Sequence, residues 1–214
     1  MNKTQNKRAQ SFAEELFNSI SHGLGAGLAI AGLVVATVIA ATQSDNMTVV
    51  ATVLYGSALV VLYLCSCLYH AFPENKAKKV FQIFDHCSIF LLIWGTYIPV
   101  CFTILRGFDG WLLFGVNGFF AVLGIVLNSI NMKRWKKLSL VFYVCMGWSV
   151  MLVANRLSSI STDGLMLLIA GGVAYTGGII FYAIHKKLFH FIWHLFVLLG
   201  SILHYFFVIG YCIK

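Results

Sequence analysis

Charge is what this sequence has least of. Asp, Glu, Lys and Arg make up 10% of its 214 residues, while 60% are hydrophobic and the mean hydropathy is +0.87. That leaves too little polar surface to dress a soluble globule, which puts the membrane class first. The seven acidic residues do not run as a series through the apolar segments. An ion or proton transporter would need such a series, and His204 is the one deeper candidate for a relay. Proline is scarce too. Pro73 closes one apolar run, whereas Pro99 lies inside another, where it is expected to kink a helix and turn carbonyls toward a cavity.

CxxC pairs are absent, and the six cysteines, Cys65, Cys67, Cys87, Cys101, Cys145 and Cys212, lie mostly within apolar runs. No disulfide framework is expected. Cys65 and Cys67 would point roughly 200° apart on a helix and could not share a metal. All six read as small buried apolar residues. The stretch GLGAG at 23–27 lacks both the Gly-Lys-Ser/Thr ending and the preceding strand of a phosphate loop. Gly23 and Gly27 predict a small-xxx-small packing face instead, and Gly171, Gly172, Gly177 and Gly178 invite the same reading. The alternating pattern of a membrane barrel is also missing.

What is present is a series of seven stretches free of charged residues, at 19–42, 47–72, 88–105, 110–132, 138–155, 164–184 and 188–213. Each has 18 or more residues, enough to cross a hydrocarbon core about 30 Å thick as a helix. The expected fold is an all-α integral membrane protein, a seven-transmembrane helix bundle occupying 11–214 as one domain, with the third span taken from residue 84. The first run is longer than a signal-peptide core and six more follow it, so it reads as a retained helix. Residues 1–10 form a basic tail expected to be disordered. Ser11 and Glu14 have the spacing of a capping box, which predicts a helix start there.

The net charge of +8 is a topology signal. Twelve of the fifteen basic residues fall in the amino tail and in the second, fourth and sixth connections, against Arg106, Arg156 and Lys214 on the other side. This places the amino terminus in the cytoplasm and the carboxyl terminus outside, as an odd number of spans requires. The clusters suit anionic lipid, so membrane lipids are the expected partners and nucleic acid is not.

That topology gives a depth to each unusual polar residue. Ser66 and His70 end the second span, Asp85 opens the third, and His190 and His194 open the seventh. Glu15, Asn18 and His22 flank the inner start of the first. All of them fall in one slab near the cytoplasmic face, and ionisable groups in spans are costly and usually functional. His190 and His194 are one turn apart on one helix face, the spacing of a two-imidazole chelate. His70 adds a third nitrogen from another helix. Three histidines with an open position describe a catalytic Zn2+ site better than a structural one. Asp85 is cast as the partner of the metal-bound water and Ser66 as a group that orients it or stabilises the oxyanion. His86 points about 100° away from Asp85 on a helix, His185 reads as an interfacial residue, and His204 as an interhelical hydrogen-bonding group.

Together, Ser66-x-x-x-His70 with Asp85, His190-x-x-x-His194, and Glu15-x-x-Asn18-x-x-x-His22 resemble the hemolysin III family, the bacterial branch of the progestin and adipoQ receptor group. Adiponectin receptors and alkaline ceramidases are its wider kin. The resemblance runs from about residue 11 to the end. It implies seven helices in the bacterial cell membrane around a zinc ion held by His70, His190 and His194, with Asp85 near the water. The long cytoplasmic domain of the animal receptors is missing. The expected function is a zinc-dependent membrane hydrolase of a lipid amide or ester, with ceramidase-like amide hydrolysis leading. The alternative is a non-enzymatic membrane protein, either a cytolysin or a membrane-homeostasis factor.

Overall fold

The computed structural model describes residues 10–184 and 186–213. The basic tail up to residue 9, His185 and Lys214 lie outside the described residues. The order of elements is α1 (Phe12–Gln43), α2 (Asn46–Ala71), α3 (Lys76–Pro99), α4 (Phe108–Gly147), a 3-10 stretch (Ser149–Ser159), α5 (Thr162–Ala183) and α6 (Phe189–Phe207). No strand occurs among the described residues.

The helix starts follow local chemistry. Ser11 and Glu14 close the predicted capping box reciprocally, which satisfies amide groups that the first turn leaves open. Asp45 caps α2 through the Thr48 amide at 2.9 Å and pairs with Arg106 at 2.6 Å. The Thr48 amide bond, the Thr48 hydroxyl and Arg106 together pull its carboxyl down to about 2. Pro99 ends α3 as an α-helix, and the chain continues as a π turn over Val100–Ile104. A second π turn, Val208–Cys212, extends α6.

Among the described residues, six helical segments are long and apolar enough to cross a membrane, not seven separate ones. The expected spans 110–132 and 138–155 both lie in the fourth segment, Phe108–Ser158. Its backbone leaves helical geometry at Asn131 (φ −158°, ψ 83°). There the chain doubles back: the Phe120 and Phe142 ring centroids are 5.2 Å apart, whereas 22 residues of straight helix would separate them by about 33 Å. Asn117 Nδ2 donates to Ser149 Oγ at 2.8 Å, and Ser139 Oγ donates to Asn128 Oδ1 at 2.8 Å, joining the two arms.

The distribution of polarity is inverted relative to a soluble protein. Leu24, Leu28, Val34, Phe119, Ile130 and Ile180 are exposed, while Asn18, His22, Ser66, His70, Asn117 and His194 are buried. With lipid outside, exposed aliphatic residues cost nothing, and buried polar groups act as interhelical glue or as a site. Close packing comes from Gly25 rather than the expected Gly27. A Cβ on Gly25 would come within 2.7 Å of Tyr63 and 2.9 Å of Leu198, whereas one on Gly27 meets nothing within 4 Å. Gly23 does face α2, at Cys67.

Candidate metal centre

α1, α2 and α6 converge at one end of the bundle, and their histidines meet there. One ring nitrogen from each of His70, His190 and His194 lies within 4.8 Å of the others. The ring centroids are 5.1 Å (His70–His190), 5.0 Å (His70–His194) and 4.8 Å (His190–His194) apart. The first-turn position of His190 is set by Leu188, whose left-handed backbone (φ 63°) turns the chain into α6. Glu14 Oε1 accepts the Leu188 amide at 2.9 Å, tying that strained entry to α1.

Two of the rings are turned by what their other nitrogen does. Glu15 Oε2 accepts from His70 Nδ1 at 2.7 Å, so the hydrogen sits on Nδ1 and Nε2 is bare. Ser21 Oγ donates to the Asn18 carbonyl at 2.9 Å, which leaves the serine oxygen as an acceptor. His194 Nδ1–H is shared between that oxygen at 3.2 Å and the Asn18 carbonyl at 3.3 Å, which again bares Nε2. The Nε2 atoms of His70 and His190 are buried with no partner. Three clustered rings, two with a buried unpartnered Nε2 (His70 and His190) and two held through Nδ1 (His70 and His194), are what a metal-ligating histidine set requires. Two ligands at 2.0–2.1 Å from zinc can stand no more than about 4 Å apart, so the three nitrogens, now within 4.8 Å of one another, would draw closer on binding an ion. The donors present therefore fit a borderline cation such as zinc.

The remaining predicted residues divide between support and cavity. Glu15 holds His70, as described, and His22 stacks on His194 with centroids 3.6 Å apart. Asn18 contributes its backbone carbonyl, while its side-chain amide donates to Gln10 at 2.9 Å. Asp85 and Ser66 are not in the three-histidine cluster. They line, with His22, His190 and His194, a cavity of about 370 Å³ that runs along the bundle axis between α3, the 3-10 stretch, α5 and α6. Ser66 Oγ is buried without a partner. His86 also lines the cavity; its Nδ1–H donates to the Gln82 carbonyl at 2.9 Å. His204, far along α6, bonds the Leu168 carbonyl of α5 at 3.0 Å.

Two supporting residues were not visible in the sequence. Lys78 looked like a solvated topology charge, yet it is buried and its Nζ pairs with Glu15 Oε1 at 3.1 Å and donates to the Phe72 carbonyl at 3.1 Å. Ser21 had a signal that went unread, since it lies three residues from Asn18 on one face of α1. Because Glu15 is held by Lys78 and in turn holds His70, Glu15→Gln is expected to weaken zinc binding about 10–100-fold. Competition of the purified variant with a zinc chelator of known affinity measures this, and an unchanged affinity would show that the carboxylate does not support the ring.

The fold and this cluster define a multi-pass helical membrane protein with an internal histidine centre. The sequence pattern of the haemolysin-III-related family matches residues 10–205, and the chain belongs to that family. It is similar to "Hemolysin-3" of Bacillus cereus, 38% identical over 99% of this chain and 97% of the relative. It is likewise similar to the "Hemolysin-3 homolog" of Bacillus subtilis (strain 168), 38% identical over 94% of this chain and 95% of that protein. A more distant relative is the human "Monocyte to macrophage differentiation factor", 28% identical over 72% of this chain and 66% of its own. With its six apolar segments, the chain is thus a multi-pass protein of the bacterial membrane.

Proposed function

We propose that this protein is a zinc-dependent hydrolase of a lipid amide or ester, acting near the cytoplasmic face of the membrane. The observation that carries the reading is the convergence of three imidazoles, two of which, His190 and His194, also line a largely apolar cavity together with Asp85 and Ser66. A zinc ion held by His70, His190 and His194 would supply Lewis acidity and an acidified water at neutral pH. Among the described residues, Asp85 is the one carboxylate lining the cavity. It is placed to accept the proton of the attacking water and deliver it to the leaving amine or alcohol. The unpartnered Ser66 hydroxyl is a donor for the oxygen that gains charge as the carbonyl is attacked.

The cavity gives a lipid a way in. Met151 of the 3-10 stretch and Ile169 of α5 are 57% and 52% exposed yet also line it, so its wall reaches the lipid-facing surface between those elements. A chain could enter sideways while its polar end meets the histidines.

The proposed orientation is supported by the hairpin in the fourth segment. As a straight helix its 51 residues would reach about 77 Å, more than twice the hydrocarbon thickness. Reading its two arms as separate crossings gives seven, with termini on opposite sides. The twelve clustered basic residues then put the amino terminus and the histidine end in the cytoplasmic leaflet. Lys136 lies over the Tyr182 ring at 4.5 Å, and that ring is 6.1 Å from His190.

Detergent-purified protein should hydrolyse an N-acyl lipid or lipid ester, lose turnover on chelation and regain it with zinc. The second reading, a lytic or membrane-homeostasis protein, is favoured by the name of the Bacillus cereus relative. Leakage of liposomes that persists when His190 and His194 are both replaced by alanine, with no turnover by the wild type, would select it.

A further inference from the structure

Ten residues beyond His194 along α6, the same cavity meets a second pair of polar rings, His204 and Tyr175. At 1.5 Å per residue this pair lies about 15 Å from the histidine cluster. The Leu168 carbonyl can only accept, so His204 Nε2 carries the hydrogen of their 3.0 Å bond and Nδ1 of the neutral ring is a bare acceptor. His204 is 9% exposed and its Nδ1 has no partner. The Leu168 bond accounts for adhesion between α5 and α6 and leaves Nδ1 unexplained.

The Tyr175 ring stands edge-on to His204 at 5.5 Å. Tyr63 donates to Ser201 Oγ at 2.7 Å, and the Ser201 and Tyr175 hydroxyls are 2.8 Å apart. Ser201 accepts from Tyr63, and either hydroxyl can donate in the Ser201–Tyr175 contact, so the Tyr175 hydroxyl keeps a donor or an acceptor site for a further partner. Reciprocal glycines seat the two rings. A Cβ on Gly171 of α5 would strike the His204 ring, and one on Gly200 of α6 would come within 2.8 Å of the Tyr175 ring. A wall meant only for methylene groups needs none of this. An unpaired buried acceptor is disfavoured, and no group among the described residues supplies its partner.

We propose that His204 Nδ1 and Tyr175 form a second polar subsite that recognises a hydroxyl borne mid-chain on a lipid acyl group, about 15 Å from the end held at the histidines. The inference rests on the lipid reading of the cavity given above. A hydroxyl satisfies both sides, donating to Nδ1 and accepting from Tyr175, whereas a plain methylene chain offers neither.

The test is displacement of a fluorescent fatty acid from detergent-purified full-length protein by stearic acid and by stearic acid hydroxylated mid-chain. The hydroxylated probe should bind the wild type about three- to tenfold more tightly, the range of one net hydrogen bond. That preference should vanish in His204→Phe and shrink in Tyr175→Phe, which keeps the ring and its packing. Equal affinities in the wild type, or a preference that survives in both variants, overturn the subsite, whose acceptor then holds water alone. If neither acid displaces the fluorophore, the lipid-filled cavity fails and the subsite with it. Zinc-depleted protein should keep the preference, which separates this site from the metal chemistry.

Discussion

His70→Ala is expected to leave the purified protein without stoichiometric zinc and without hydrolytic turnover. With three protein ligands, each imidazole carries about a third of the binding free energy. For a total of about 10–16 kcal/mol, the loss of one ligand costs roughly 3–5 kcal/mol, or about two to four orders of magnitude in affinity. The deletion also removes one of the two partners of the Glu15 carboxylate, which accepts from His70 at 2.7 Å and pairs with Lys78 at 3.1 Å. His194→Ala should lose zinc equally and destabilise the bundle more, since it also removes the ring stacked on His22 and the bonds to Ser21 and Asn18 of α1. Elemental analysis of wild type beside His70→Ala decides the matter. A wild type with no bound zinc, or a variant that keeps a full complement, would remove the basis of the metal reading.

The centre was legible in the sequence because two periodicities point at it independently. Four-residue spacing puts His190 and His194 on one face, and alternating loop charge puts His70, Asp85 and Glu15 at the same depth. Neither needs knowledge of how helices pack. What stayed hidden depends on packing. Lys78 was counted as a solvated charge, because charge counting cannot see that Glu15 and the Phe72 carbonyl draw its amine inward. The chain returns at Asn131, two residues before the expected loop at 133–137 and inside the expected span 110–132, because the absence of charge marks a span's polarity and not where its backbone leaves helical geometry. At Pro99 the ring removes one backbone donor, and the chain answers with a π turn, an outcome that proline chemistry permits without dictating. The reciprocal fit of Gly171 to His204 and Gly200 to Tyr175 likewise appears only when α5 and α6 are docked.

Asp85→Ala separates metal binding from chemistry. Asp85 lies outside the three-histidine cluster, so zinc content should stay at the wild-type level. Its side chain lines the cavity shared with His190, His194 and Ser66. Among the described residues its ion-pair contact is with His86, whose Nδ1 stands 3.6 Å from Oδ2 and gives its hydrogen to the Gln82 carbonyl. A positioned acid–base group contributes about 10²–10⁴ to a hydrolysis rate, and turnover of a lipid amide should fall by that factor. The loss should appear in kcat more than in KM, because the carboxylate moves a proton and does little to hold an acyl chain. Asp85→Asn keeps the volume and hydrogen-bonding capacity of the side chain while removing the basic oxygen, so it should be nearly as inactive. Turnover unchanged in both variants would take Asp85 out of the chemistry.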